Sequence, residues 1–441
     1  MFKLLLIWRY FLKRRLAWLA VAAVGLIVML VVVVLSVMAG LLEQTRQRNH
    51  GWSGDVILSR PSAVGFPAYE AFLEVLAQEQ MVATATPVIR SFGLVEQEAG
   101  ELIGVRLAEF CAVTRFQESL HFQSNGQQPS FASERPGISE RDGCIVGGLY
   151  RYSRSVRQLP QLRENWFNPT NGPVQRATVF ALNSRGRLTG SLAGERASFV
   201  FVDDSDTGLV DVDSMALYVD FDRLQQLCWM DGSDGGEPRC SEIRIKLAEG
   251  VALEAGRARV EELWQVFVGQ QEETALLADV RVQDWKQFRR AVIAPVEKEH
   301  TMMIAVFVLL SLVAVFIIFV IFYMIVTEKV KDLGIVKSVG ASAGGVGQIF
   351  LGYGLMIGLV GALVGGLLGC LIVHFDNEIA DALGISLWDP DVYAIDRIPN
   401  QIDPRQVGLI FLFACAASVG GAWVPAWRAS RLHIVRALRG V

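Results

Sequence analysis

Four long apolar runs constrain this chain more than anything else in it: Leu16 to Leu42, Thr301 to Val326, Ile349 to Phe375 and Val407 to Val424. A bilayer core of about 30 Å takes about 20 helical residues to cross, and a backbone inside it must satisfy its own hydrogen bonds. The four runs therefore predict four transmembrane helices. Residues 43–300, between the first two runs, are mixed in polarity and long enough for one large or two modest folded domains. The predicted fold is a membrane α-helical protein of four transmembrane helices, with a large α+β extracytoplasmic domain inserted between helices 1 and 2.

The net charge of −4 hides a strong segregation that orients these helices. Lys3, Arg9, Lys13, Arg14 and Arg15 precede the first run with no acid among them. Lys329, Lys331 and Lys337 follow the second, and Arg428, Arg431, Arg436 and Arg439 follow the fourth. The connector 376–406 is acidic, with Asp376, Glu378, Asp381, Asp389, Asp391, Asp396 and Asp403. Short loops rich in Lys and Arg stay on the cytoplasmic side. The expected order is a cytoplasmic basic segment (1–15), a first span (16–42), an outside α+β domain ending in a stalk helix (43–300) and a second span (301–326). A cytoplasmic amphipathic helix (327–348), a third span (349–375), an outside connector (376–406), a fourth span (407–424) and a cytoplasmic basic tail (425–441) follow. The first run exceeds the 7–15 or so apolar residues of a signal-peptide core, so it is expected to remain as an anchor.

Within the outside domain, Pro67 to Glu79 has helical spacing, and Val82 to Val95 reads as strands with Pro87 between them. Leu102 to Leu107, Cys144 to Gly148, ASFVFVDD, MALYVDF and EIRIKLAEG read as further strands. Helices are expected over Arg223 to Met230 and Leu253 to Val266, a hairpin over Ala177 to Gly190, and a surface insertion over residues 123–170. From Gln283 the chain is helix-compatible, which would extend the second span above the bilayer as a stalk, with Pro295 as a potential kink.

No catalytic constellation emerges. The five histidines are scattered, no CxxC or Gly-Lys-Ser/Thr phosphate loop occurs, and neither a metal nor a cofactor is expected. Asp203, Asp204, Asp206, Asp211 and Asp213 lack the spacing of a calcium loop and are expected to form a solvated acidic turn. Cys111, Cys144, Cys228 and Cys240 are disulfide candidates. The flexible WMDGSDGGEP stretch favours Cys228 with Cys240, leaving Cys111 with Cys144, and the alternative is four free thiols. Nothing points to a nucleic-acid partner.

Two membrane features remain. The break TEKVKDLGIVKSVGAS carries an apolar face at Val326, Val330, Leu333 and Gly334, a helix that must lie on lipid or on a partner protein. The third span carries Gly354, Gly358, Gly361, Gly365 and Gly369 at intervals of three or four, a face that lets another helix approach closely. Between their ends the spans hold no Asp, Glu, Lys or Arg, which argues against an ion pathway.

Four stretches resemble the FtsX/MacB/LolC-type ABC permeases. VLSVMAGLLEQTRQRNHGWSGDVIL and DVYAIDRIPNQIDP are similar to the lipoprotein-releasing LolC/LolE branch. EKEHTMM through the break and the glycine face resembles the family's second span, coupling helix and third span. VPAWRASRLHIVRALRG resembles its C-terminal signature. The resemblance implies a non-enzymatic, multi-pass subunit of the inner membrane that transmits the motion of a cytoplasmic ABC ATPase to a periplasmic domain. It implies a second permease copy or paralogue, membrane lipid and a periplasmic lipoprotein carrier as partners. It puts the ATPase contact on Glu328, Lys329, Asp332, Leu333, Gly334, Lys337, Gly340, Ala341 and Ser342. Its implied role is lipoprotein release, with activation of a cell-wall hydrolase or export of an amphiphile as the family's alternatives.

Overall fold

The structure, a computed structural model, describes residues 15–124, 128–133, 135, 138–147, 169–170, 172–188, 194–271, 275–328, 342–383 and 402–431. The chain divides into two compact units, one of membrane helices and one spanning Thr45–Ile293. Among the described residues the helices of seven residues or more are, in chain order, α1 (Arg15–Ser53), α2 (Tyr69–Ala77), α3 (Leu107–Val113), α4 (Phe221–Leu227), α5 (Leu253–Gly269), α6 (Arg290–Glu328), α7 (Ala343–His374), α8 (Asp376–Leu383) and α9 (Pro404–Ser430).

Four of these, α1, α6, α7 and α9, are long and apolar enough to cross a membrane. Their ends follow from capping chemistry. Ser342 Oγ accepts from the Gly345 amide at 3.1 Å, so α7 starts at Ala343, before the apolar run itself begins. Asp403 Oδ1 accepts from the Arg405 amide at 2.9 Å, and Pro404 occupies the first helical position, where its missing N–H costs nothing.

The other unit is organised by a mixed sheet of nine strands in the order β11-β1-β10-β3-β4-β8-β5-β7-β6. The strands are β1 (Val56–Ser59), β3 (Val82–Val95), β4 (Glu98–Val105), β5 (Gly143–Gly147), β6 (Val174–Val179), β7 (Glu195–Ser205), β8 (Ala216–Asp220), β10 (Glu242–Leu247) and β11 (Arg281–Asp284); β2 (Phe66–Pro67) and β9 (Arg239–Cys240) form a separate pair. The long strand β3 pairs with β10 over its first half and with β6 at its far end, while β4 runs along its other edge. The six strands from β3 to β6 thereby close on themselves, and β10, β1 and β11 extend from the ring. Pro87 sits inside β3, opposite Ile243, just before β4 pairing begins at Val88. There β3 has a neighbour on one side only, which is where a strand tolerates proline. One continuous strand replaces the expected break.

Side-chain alternation buries both faces of the sheet. On β5, Cys144 and Val146 enter one core and Ile145 the other; on β8, Leu217 and Val219 part from Ala216 and Tyr218 in the same way. The first core is closed by α2 and α5, where Phe72 meets Trp264 edge-on at 4.8 Å. The second is closed by α3, Phe116 and Trp52. The expected continuous helix from Gln283 is not formed. Residues Arg281–Asp284 instead pair with β1, and Asp284 Oδ1 caps a single helical turn, Trp285–Phe288, before α6 begins at Arg290. β-branched Val282 opposite Leu58 suits a pleated edge better than a helix start. Pro295 lies inside α6.

Candidate functional site

Four third-span glycines, Gly358, Gly361, Gly365 and Gly369, meet other helices of the same bundle, and Gly354 is buried as they are. A Cβ on Gly361 would lie 2.9 Å from Val24 Cβ, and one on Gly369 would lie 3.0 Å from Val32 Cβ, both on α1. One on Gly365 would overlap the Gly25 backbone. Backbones this close need residues without side chains on both helices. Gly358 faces α9 instead, where a Cβ would come 2.8 Å from Ser418 Cβ. Gly421 of α9 in turn faces α6, with the Val315 carbonyl 2.9 Å from its notional Cβ. By contrast Gly366, off the stripe, meets nothing within 4 Å. The matching small residues were not singled out from sequence: Gly25 on α1, and Ser418, Ala422, Ala426 and Ala429 on α9, are also buried. Their spacing of three and four was the available signal.

Between α1, α6 and α9 lies a groove of about 540 Å³. Val28, Val31, Phe307, Leu409 and Phe413 line it, with Ser311, Gln406 and Ser418 as its few polar groups.

Of the residues assigned to ATPase contact, Glu328 is the last residue of α6 and Ser342 caps α7. Lys329, Asp332, Leu333, Gly334, Lys337, Gly340 and Ala341 lie outside the described residues, as do most of the 123–170 insertion, most of the 376–406 connector and the tail from 432.

In the sheet unit, the ends of α1 and α6 are tied in by a polar cluster that sequence reasoning missed. Trp52, on the last turn of α1, has the Arg244 guanidinium 4.0 Å from its ring centroid and Arg289 at 5.2 Å. Its Nε1 donates to Tyr218 Oη at 2.8 Å, and its carbonyl accepts from Arg244 Nη1 at 2.7 Å. Glu242 accepts from both Arg244 (3.2 Å) and Arg90 (3.2 Å). Arg90 also donates to Glu101 at 2.5 Å. Burial pulls the Arg90 guanidinium down, but Glu242 and Glu101 together outweigh it and its pKa rises. For the fully buried Arg244 burial prevails, and its pKa falls. Nearby, Asp55 Oδ1 lies 2.6 Å from His50 Nε2, and Asp55 Oδ2 accepts from the Leu247 amide at 2.8 Å. The contacts of Trp52 with Tyr218 and Arg244, of Arg90 with Glu242 and of Asp55 with Leu247 each span more than 150 residues, so no periodicity announces them.

The expected solvated acidic turn is corrected in part: Asp206 and Asp211 are exposed, but the other three are not. Asp203, Asp204 and Asp213 are fully buried. Asp203 accepts the backbone amides of His121, Phe122 and Gln123 at 2.9–3.2 Å, which fixes the chain after β4 and α3 against β7. Asp213 Oδ1 accepts from Thr207 Oγ1 at 2.8 Å and from its amide at 3.2 Å. Burial, opposed by those Thr207 bonds and reinforced by Asp206, pushes the Asp213 carboxyl up to about 7. These carboxylates organise backbone, and that use needs no solvent.

All six cysteines are free thiols. Cys144 points into the core under α2 and α5, whereas Cys111 packs on the core under α3, so a bond between them would have to pass through the sheet. Cys228 and Cys240 share the first core without pairing. Burial raises all four, Cys111 and Cys228 each to about 11.

Comparison with known proteins assigns a class to this arrangement. Residues 304–434 match the FtsX-like permease C-terminal family, so the chain carries an FtsX-like permease domain. Among curated proteins it is similar to LolC, the lipoprotein-releasing system transmembrane protein of Neisseria meningitidis serogroup B (33% identity over 168 residues, 36% of this chain and 40% of that one). It is similar to LolC of Xylella fastidiosa strain Temecula1 (27% over 239 residues, 53% of each) and to LolE of Haemophilus influenzae (31% over 143 residues, 32% of this chain and 34% of that one). The chain spans about half the length, or less, of the curated relatives it matches. The crystal structure of the periplasmic region of MacB from Actinobacillus actinomycetemcomitans aligns at TM-score 0.31 with 10% identity, covering 57% of this chain and 97% of that one, a likeness too slight to carry an argument.

Proposed function

We propose that this chain is the permease subunit of an ABC transporter that releases lipoproteins from the inner membrane. The observation that carries the reading is the FtsX-like match over 304–434, which runs through the amphipathic break and the glycine-fitted helix α7, together with relatives named for lipoprotein release. The chain has no phosphate-binding Gly-Lys-Ser/Thr loop, so the work of ATP enters from a cytoplasmic partner ATPase. That partner docks on Glu328, Lys329, Asp332, Leu333, Gly334, Lys337, Gly340, Ala341 and Ser342. Both termini and this break face the cytoplasm, and the sheet unit faces the periplasm, as the Lys/Arg distribution favours. A second permease, identical or paralogous, completes the membrane part, and a periplasmic carrier receives the cargo. The apolar groove between α1, α6 and α9 supports an acylated cargo, because a bilayer-facing cleft of this composition suits hydrocarbon.

The reading is tested by replacing Leu333 and Gly334 with Asp in the full-length chain. Two carboxylates on the apolar face of the break are expected to abolish co-purification of the ATPase and stop lipoprotein release, with the sheet unit still folded by amide exchange. Undiminished ATPase association would overturn the docking assignment. Capture of a cell-wall hydrolase with no lipoprotein released would overturn the cargo.

A further inference from the structure

Residues 206–214, within the connection from β7 to β8, receive contacts from the sheet-unit ends of both connecting helices. Arg48, near the end of α1, donates from Nη1 to the Gly208 carbonyl at 3.0 Å. Arg289, immediately before α6, donates from Nη2 to Asp211 at 2.6 Å and from Nε to Asn49 Oδ1 at 2.6 Å. Arg289 thus holds α1 and the segment at once, and it is itself buried beside the Trp52 ring. The segment has its own internal scaffold. Leu209 and Val212 are buried in the second core, and Asp213 accepts both donors of Thr207. Gly208 stands at φ 70°, where a side chain is strained, and a Cβ there would fall 2.6 Å from Arg48 Cζ. The backbone therefore favours glycine here, and a Cβ would displace the guanidinium that lies on it.

We propose that residues 206–214 form a latch through which the two membrane helices grip the sheet, with Arg289 as the positioning residue that joins them. The proposal rests on the permease reading for its purpose, since a machine driven from the cytoplasm needs a defined point where helix displacement becomes sheet displacement. A turn gripped from both helices is such a point: moving α1 relative to α6 cannot leave Asn49–Arg289–Asp211 and Arg48–Gly208 all satisfied. The strands on either side, β7 and β8, are both members of the closed ring, so a displaced latch acts on it directly. A physical link of this kind is established only by showing that both ends bias it.

The test uses the full-length protein in lipid nanodiscs, alone and with its ATPase, comparing wild type with Asp211→Asn and Gly208→Ala by amide exchange. Without nucleotide, both variants are expected to exchange amides of residues 45–53 at least about tenfold faster, with β10 unchanged, as loss of a hydrogen bond to a charged group implies. Unchanged protection of 45–53 overturns the latch, whatever the ATPase does. With ATPase and ATP, wild type is expected to change exchange in 206–214 and in β7 and β8, and Asp211→Asn to lose the β7 and β8 response while still binding the ATPase. An equal response in wild type and variant overturns the latch alone. A wild type with no nucleotide response anywhere in 45–293 overturns the permease reading, and the first comparison then still decides the latch.

Discussion

Asp213→Asn offers a quantitative check on how the segment between β7 and β8 is held. The carboxyl is fully buried, Oδ1 takes both Thr207 donors, and its pKa is raised from the usual 3.8 to about 7. Below about pH 4 both folded and unfolded chains hold the proton, and burial of this group costs nothing extra. As pH climbs towards 7 the unfolded chain gives its proton up while the folded chain keeps it, so stability falls. Above about 7 the folded carboxyl is ionised too and the loss is complete. At about 1.36 kcal/mol per pH unit, a proton retained over this window amounts to about 4 kcal/mol. Asparagine preserves an oxygen for Thr207 and cannot ionise. It leaves one buried amide donor without a partner, because Asp213 Oδ2 has none, at a cost of about 1 kcal/mol. The variant is therefore expected to be more stable than wild type by about 3 kcal/mol at pH 8, and to lose that advantage below about pH 5. Amide exchange of β8 in the full-length protein, corrected for intrinsic rates, measures this. Parallel pH profiles for the two proteins would refute a buried, protonated Asp213.

Other expectations follow from packing and burial. Gly365→Leu forces a side chain into the Gly25 backbone and is expected to separate α1 from α7 and lower stability in detergent by about 3 kcal/mol or more, whereas Gly366→Leu, which meets nothing, should change it by less than about 0.5 kcal/mol; thermal unfolding of the pair compares them directly. Under native conditions at pH 7.5, Cys144 and Cys240 are expected to resist alkylation until the domain unfolds, and half-buried Cys111 to react first, although slowly, since burial holds its thiol at about 11. Mass mapping after a timed alkylation reads the order. Phe72→Ala, at the edge-on contact with Trp264 in the first core, is expected to cost about 3–5 kcal/mol of sheet-unit stability, and denaturation of the full-length variant measures it.

Periodic features were legible without coordinates. Four spans, the alternating strand at Glu242–Leu247, the helix from Leu253 and the glycine stripe each repeat at their own geometric period, so local sequence suffices. Pro87 misled because the rule against proline in strands depends on which neighbours are present, and that depends on the pairing of β4 along β3 reaching no further than Val88. Gln283 misled because residues compatible with a helix were drawn into an edge strand by β1, more than two hundred residues earlier. The acidic segment misled because charge was taken to mean solvent, whereas Asp203 and Asp213 each find backbone donors that make burial affordable. The cluster around Trp52 was beyond reach: Arg244 and Tyr218 are distant in the chain, and an arginine buried against a tryptophan looks, as a letter, like any surface arginine.

The central proposal is that ATP hydrolysed by a partner drives this chain to free lipoproteins from the membrane. Its most direct test reconstitutes the full-length protein with its ATPase in proteoliposomes carrying a triacylated lipoprotein, and follows transfer of that lipoprotein to a soluble carrier. The account predicts transfer that requires ATP and disappears with Leu333→Asp. ATP turnover without transfer, or transfer indifferent to ATP, would contradict it.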